Sequence, residues 1–275
     1  MTPPISADAE PRLGAISGWL GVPRGVLVAA ASLAAAVLGW ELLFRTGWAP
    51  PGLLPGPREV ARALGAEASS GELFSHLAHT GRHIVVGFLL GALPGAAFGL
   101  SSAFVPYASS MAEHWLNAAS SVPRVILLPY FIFLFGTGDA LCLGAVAVAV
   151  FLEMTITLRA GSQSIDQDLV DVVRLLGASS RHVLKDVVVP SLFPHLLLGL
   201  QLSLRQAVRQ AIIVESVFSI PGIGQRLWRS ADTMRMSEYF AYILLTAGLA
   251  AAILLAARSA LLASAPWFRG HGRGH

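Results

Sequence analysis

Gln201, Arg205 and Arg209 recur every four residues in an otherwise apolar stretch, and Glu215 follows six residues later. At about 100° per residue the first three stand near 0°, 40° and 80° of a helix and Glu215 near −40°, so the four polar groups share roughly 120° of its circumference. Each arginine at the centre of a bilayer-spanning helix costs ~2.5–3.5 kcal/mol on insertion scales, so an idle pair is not expected. Two uses stay open. The guanidinium groups can present planar donors to a carboxylate, sulfonate or similar oxyanion, or they can pair with Glu215, Glu153 or a neighbouring chain. His76, His79 and His83 fall at i, i+3 and i+7, a metal-compatible spacing. Only Glu72 lies nearby to complete a ligand shell, so they read as interfacial polar residues and no metal site is assigned. The lone Cys142 leaves no intrachain disulfide and no cysteine metal site. No GxxxxGK[ST], HExxH or suitably spaced Ser/His/Asp set appears.

A second group of charges is more concentrated. DVVRLLGASSRHVLKDVVVP, residues 171–190, carries Asp171, Arg174, Arg181, His182, Asp186 and the chain's only lysine, Lys185. Leu169, Val170, Val173 and Leu176 recur at helical spacing before Gly177, a residue suited to a left-handed helix end. Ser179 or Ser180 can cap a second helix that runs through Val183, Leu184 and Val187 to Pro190. The residues alone describe an amphipathic helix, a sharp turn and a second helix leading into an apolar run. An ordinary interfacial loop would look the same.

The elements that must hold these groups are apolar. Of 275 residues, 55% are hydrophobic and 13% charged, against ~25% charged in ordinary soluble domains. A spanning helix needs ~20 mostly apolar residues, and six stretches qualify. They run from Val26 to Phe44, and from about Ile84 to Phe104, Trp115 to Phe135, Ala140 to Leu158, Leu192 to Phe218 and Tyr239 to Ser264. The class is an all-α polytopic membrane protein. Residues 58–80 read as an amphipathic surface helix broken near Gly71, and Gly136-Thr137-Gly138-Asp139 as a tight turn between neighbouring antiparallel spans. Pro94, Pro123 and Pro129 fall inside spans, as packing kinks or as bends around a pathway. Trp40, Trp48, Trp115, Trp228 and Trp267 sit near span ends, where interface anchors belong. Residues 1–24 are too long and acidic for a signal-peptide n-region, so the first span is read as retained. The net charge of +3 is spread over scattered arginines, which argues against nucleic acid and leaves sidedness to a feeble positive-inside bias.

At Asp171-Val172-Val173, three residues, Gly177, nine residues and Val187-Val188-Val189-Pro190, the sequence resembles the "EAA" loop of ABC importer permeases. The resemblance extends from about Leu54 to Trp267 and is closest to the nitrate, sulfonate, taurine and bicarbonate branch. It is carried by Leu54-Pro55-Gly56-Pro57, His76-Leu77, Gly87-Phe88, Val122-Pro123, Leu128-Pro129, Phe135-Gly136-Thr137-Gly138, Ser164-Ile165-Asp166, Arg174, Leu176-Gly177-Ala178-Ser179, Gly199, Glu215 and Gly222-Ile223-Gly224, all in register. The sequence departs from the family in the loop's Asp-Val-Val, in Glu153 and Thr157 of the fourth span, and in Arg205 and Arg209 of the fifth.

The resemblance implies a type I ABC importer permease fold with six spans in the bacterial inner membrane and both termini cytoplasmic. It divides the chain into a cytoplasmic segment 1–25, a first span 26–46, an extracytoplasmic segment 47–83, a core 84–264 holding the coupling loop 161–190, and a cytoplasmic tail 265–275. It implies an ATPase contact made by Asp168, Asp171, Arg174, Leu176, Gly177, Ala178, Ser179, Arg181 and His182. The expected partners are ATP-binding-cassette ATPase subunits, a second identical or homologous permease, an external binding protein and membrane lipid. ATP and Mg would be bound by the ATPase subunits, with no cofactor in this chain. The expected pathway set is Arg124, Glu153, Gln201, Arg205, Arg209 and Glu215, serving a small anionic organic or inorganic solute. Arg226, Trp228 and Arg229 are expected to meet the binding protein, with Arg235 on the same exterior loop. A stand-alone secondary carrier is the alternative, but its inverted repeats are not found.

Overall fold

The computed structural model describes residues 24–264 apart from 49, 51, 102–113, 117, 120 and 166. The expected terminal segments, 1–25 and 265–275, therefore lie outside the described residues except for Arg24 and Gly25. Helix α1 covers Arg24–Arg45, α2 Pro57–Ser69 and α3 Glu72–Ser101. A 3-10 turn at Arg124–Leu127 leads into α4, Leu128–Phe135, and α5 follows at Asp139–Gln163. Helix α6 is Gln167–Leu175, and α7 is the short Ser180–His182, which continues through a π-helical turn, Val183–Val188, into α8, Val189–Val217. Helices α9, Ile223–Asp232, and α10, Met236–Ser264, complete the described fold, which holds no strand among the described residues.

Among the described residues five helices are long and apolar enough to cross a membrane, and the shorter apolar Arg124–Phe135 stands in the third place. The third expected span, Trp115 to Phe135, is thus not one continuous helix. Pro123 precedes the 3-10 turn and Pro129 sits in the first turn of α4, where its missing N–H costs nothing. Pro94, by contrast, lies inside an unbroken α3. The break near Gly71 is present at φ +78°, between α2 and α3.

The core is built where α5 meets α3 on one side and α8 on the other. Gly87, Gly91, Gly95 and Gly99 form a stripe along α3 that faces α5. A Cβ on Gly91 would stand 2.2 Å from the Ala147 carbonyl oxygen, and one on Gly95 would stand 2.9 Å from that of Phe151. Small residues at four-residue spacing let helix backbones touch in this way. The Thr155 hydroxyl donates to the Gly95 carbonyl at 3.2 Å across the seam. Ile84, Leu128, Leu141, Val146, Val150, Ala207, Ala211 and Val214 are buried around it. Helix α1 stands apart, its spanning face unpacked within the chain, tied mainly at one end. There the Trp40 indole donates to the Pro55 carbonyl at 3.0 Å and its ring stacks on Phe240 at 5.9 Å.

Candidate functional site

Three groups of polar residues occupy three levels of the bundle. The first is the loop after α5. On α6, Val170 is buried against Val183, Val187, Val188 and Leu192, which presses one face of the helix onto the start of α8. The helix ends in a Schellman motif: Gly177 N–H donates to the Arg174 carbonyl at 2.9 Å and Ala178 N–H to that of Val173 at 3.2 Å. Gly177 has φ +87°, so any Cβ there carries the left-handed penalty, although no neighbour lies within 4 Å of it. Ser179 stands just before the next helix, its carbonyl accepting from the His182 N–H at 2.9 Å and its hydroxyl 2.8 Å from His182 Nδ1. Asp168, Asp171, Arg174, Ser179, Arg181 and His182 all face outward, and Ala178 is half-buried. Beside them Leu175 and Leu176 are 87% and 82% exposed. A capped, internally packed hairpin thus projects two leucines and a ring of charges.

The second group lies at mid-bundle. Arg124 Nη2 stands 3.8 Å from Glu153 Oε2, and its Nε is buried without a hydrogen-bond partner. Gln201 is half-buried, while Arg205 and Arg209 are exposed on the flank of α8. The polar arc expected on this helix therefore parts company with Glu215, which is 0% exposed. The Glu215 carboxyl group is hydrogen-bonded on both oxygens inside the fold. The Thr80 hydroxyl donates to its Oε2 at 2.8 Å and the Gly224 N–H to the same oxygen at 2.9 Å. His83 Nδ1 lies 2.8 Å from its Oε1. The ion pairs offered by the sequence between Arg205 or Arg209 and Glu215 or Glu153 are thus replaced by other partners. Helical angles place residues on one arc but do not say which edge a neighbouring helix will cover.

The enclosure of Glu215 explains the glycines beyond it. Gly222 precedes α9, and a Cβ there would fall 2.3 Å from the Glu215 carboxyl carbon. A Cβ on Gly224 would fall 2.4 Å from the Ile212 carbonyl oxygen. The carboxylate sits at the α9 N-terminus, where free N–H groups and the helix dipole favour negative charge. The Ile223 N–H donates to Thr80 Oγ1 at 2.8 Å, filling a second orphan position. His83 Nε2 lies 3.2 Å from Asp139 Oδ1, and Asp139 is ion-paired with Arg82. The three histidines of α3 thus have separate fates: His79 Nδ1 is 2.8 Å from the Ser75 carbonyl, His76 is half-buried, and His83 alone enters the core. The ligating atoms of His83, Cys142 and Glu215 lie within 4.8 Å of one another, a spacing a metal ion could use. Both Glu215 oxygens are already hydrogen-bonded within the fold.

The third group is the face of α9. Arg226, expected at a free rim, is instead a hub with its side chain 18% exposed. Its Nη2 donates to Glu67 at 2.9 Å and to Glu72 at 2.6 Å, and its Nε donates to the Tyr242 hydroxyl at 3.1 Å. The Tyr242 hydroxyl in turn donates to Glu67 Oε2 at 2.8 Å. Burial pushes the Glu67 carboxyl up, but hydrogen bonds from Arg226 and Tyr242 and the positive charge of Arg226 outweigh it and hold the group below its ordinary range. Burial works against the Arg226 charge too, and the same partners outweigh it, holding the guanidinium more firmly protonated than usual. Trp228, at 59% exposure, and Arg229 remain open, while Arg235 is paired with Glu238.

Comparison with known proteins places this arrangement. Residues 85–269 match the family described as binding-protein-dependent transport system inner membrane component. The chain is 27% identical over 230 residues to the putative aliphatic sulfonates transport permease protein SsuC of Bacillus subtilis, covering 84% of this chain and 81% of that protein. It is 23% identical over 249 residues to the taurine transport system permease protein TauC of Escherichia coli, with 89% and 90% covered. In fold it is similar to a chain of the inward-facing MetNI methionine ABC transporter, with a TM-score of 0.61 at 17% identity, covering 70% of this chain and 95% of that one. A chain of an amino acid ABC transporter crystallised with histidines gives a TM-score of 0.54 at 18% identity, with 72% and 94% covered.

Proposed function

The chain belongs to the family of binding-protein-dependent transport system inner membrane components, and on that premise we propose that it pairs with a second permease, identical or homologous, on two ATP-binding-cassette ATPase subunits. It is a multi-pass transport subunit without a nucleotide motif of its own, so ATP and Mg would be held by the partners. An external binding protein delivers the solute, and closure of the ATPases opens the cavity outward to receive it. Both termini and the loop 161–190 lie on the cytoplasmic side in this reading, and α9 lies on the outer side.

The observation that carries the proposal is the α6 hairpin. Large apolar side chains are seldom left fully open beside charges on a capped and packed element unless a partner covers them. Leu175 and Leu176 fit a hydrophobic groove on an ATPase, with Asp168, Asp171, Arg174, Arg181 and His182 forming the polar rim. At mid-bundle, three arginines against one glutamate give each chain a net positive belt, which supports a small oxyanion as solute. A sulfonate of the kind named for the relatives satisfies it. Arg124, Glu153, Gln201, Arg205 and Arg209 are the pathway residues in this reading, and Trp228 and Arg229 meet the binding protein.

The test is copurification. Tagged protein should recover an ATPase from its native membrane, and replacing both Leu175 and Leu176 by Glu should reduce that recovery at least tenfold with membrane levels unchanged. Equal recovery from the variant would mean that the hairpin is a passive connector. Uptake by the purified chain alone, driven by an ion gradient, would overturn the ATP-driven assignment itself.

A further inference from the structure

A cleft of about 450 Å³ opens between the end of α1, residues 52–63 and the turn from α9 into α10. That volume falls within the ~300–1,000 Å³ of small-molecule sites. Two spanning helices fix its depth: α1 ends at Arg45 and α10 begins at Met236, and Phe44 and Met236 both line the cleft. One turn further into α1, Trp40 stacks on Phe240 and donates to the carbonyl of Pro55, which forms part of the wall. A tryptophan with an apolar ring contact and a bonded N–H is at home where membrane meets water. The cleft therefore lies at the level of phospholipid headgroups, beside the unpacked flank of α1.

The turn into α10 supplies an independent observation. Met234 N–H donates to the Ala231 carbonyl at 3.1 Å and Arg235 N–H to that of Ser230 at 2.8 Å, the same Schellman pattern that closes α6. The left-handed position is Gly177 in α6, but here it is Met234, at φ +57°. Side chains disfavour that conformation, and Met234 is 64% exposed, so core packing does not compensate. What its flexible thioether does is form an apolar wall of the cleft with Phe44 and Leu54. The charged lining is Glu59, Arg235 and Glu238, one cation against two carboxylates. Arg235 is paired with Glu238, and Glu59 Oε2 accepts from the Gly56 N–H at 3.2 Å. A net negative lining repels an anionic headgroup. A quaternary ammonium has no N–H to give a carboxylate, whereas a primary ammonium has three.

We propose that this cleft binds a zwitterionic phospholipid with a primary amine, a phosphatidylethanolamine. Its ammonium group meets Glu59 and Glu238, its phosphodiester meets Arg235, and its glycerol end lies against Met234, Phe44 and Leu54. The site rests on the membrane-spanning fold alone and needs neither ATPase nor solute.

Native mass spectrometry of the full chain tests it, with the protein released from nanodiscs holding equal parts of phosphatidylethanolamine, phosphatidylcholine and phosphatidylglycerol with the same acyl chains. The wild type should retain phosphatidylethanolamine over either other lipid by about threefold or more, the worth of one partly exposed charge pair. Equal retention of the three would overturn the proposal. Glu59→Gln keeps an oxygen for the Gly56 N–H but loses the charge, so the preference should vanish; an unchanged preference would also overturn it. Met234→Gly separates binding from folding. Glycine accepts the left-handed turn, so the thermal midpoint should hold or rise while phosphatidylethanolamine retention falls about threefold, as loss of an apolar contact requires. Unchanged retention in this variant would mean that the wall makes no lipid contact and the site is wrong. Taurine, a soluble amine with an oxyanion, is the last control. If millimolar taurine displaced the lipid, the cleft would belong to a soluble zwitterion and the lipid assignment would fall. No arm involves ATP or uptake, so this inference and the transport reading can fail separately.

Discussion

The α6 hairpin and the α9 platform sit at opposite ends of α8 and handle charge in opposite ways. On α6 the charges point outward and the ion pair between Arg174 and Asp171 is loose, at 3.9 Å with both side chains mostly exposed. Around α9 the inward-facing charges are consumed, Arg226 by Glu67, Glu72 and Tyr242 and Glu215 by Thr80, His83 and Gly224, while Arg229 stays open. Buried, satisfied polar networks fix one geometry, whereas exposed pairs contribute little to stability. One end is therefore built to be held from outside and the other holds itself.

The two glycine turns break this comparison most sharply. Gly224→Val forces a side chain onto the Ile212 carbonyl, and overpacking of this kind costs about 3 kcal/mol or more against backbone. Its expected outcome is loss of detergent-stable protein in a thermal shift assay. Gly177→Val meets no atom and carries only the left-handed penalty of roughly 1–2 kcal/mol. It should leave membrane levels intact while uptake falls at least tenfold and ATP hydrolysis runs uncoupled. If both variants behaved alike, the distinction between a self-held and a partner-held end would be lost.

The mid-bundle arginines come next. Arg205→Gln and Arg209→Gln, each alone, should leave the complex assembled on size exclusion and reduce uptake several-fold. Impaired assembly would instead make them interface residues that meet the second permease. Smaller effects separate Arg229 from Arg226. Arg229→Glu should slow uptake about threefold at low salt and hardly at all at high salt, as steering charges do. Arg226→Glu should lower the thermal midpoint at every ionic strength.

The smallest effect is that of acid on the α9 end. The folded Glu67 carboxyl lies below its ordinary value of 4.5, so its contribution is fully present above that value and is lost as pH falls through the lowered one. The thermal midpoint should therefore hold down to about pH 5 and then fall, and Glu67→Gln should flatten part of the fall.

Much of this was legible in the sequence. Apolar runs located the spans because burial in lipid demands length and composition, and Gly177 marked its turn because only the backbone is involved. Gly71, Gly136 and Gly138 were readable for the same reason. What the sequence withheld depends on which side chain faces which neighbour. Glu215 and Arg226 look like pathway and rim from their own helices; only Thr80 and His83 on α3, and Glu67 and Tyr242, show them to be internal. The Gly87-Gly91-Gly95-Gly99 spacing was a signal available in the sequence for the α3–α5 seam. His83 also stood in plain view, on a face whose three histidines suggested a common fate that packing does not give them. The third span is interrupted for a local reason, since Pro123 and Pro129 fall where a 3-10 turn and α4 begin within a run whose composition alone is continuous.

The glycine stripe of α3 has a mechanical consequence. Where two helices touch through bulky side chains, rotamer changes can absorb a small slide. Here carbonyl oxygens of α5 lie where Cβ atoms would otherwise be, and a backbone cannot repack. The next position of equal fit along the seam is one glycine repeat away, roughly 6 Å by the rise of four helical residues. Sliding by any lesser distance drives side chains of α3 into the α5 backbone. The pair therefore behaves as a stiff plank, and bending or rocking in this protein must occur at its margins, where α4 is short and α1 stands free.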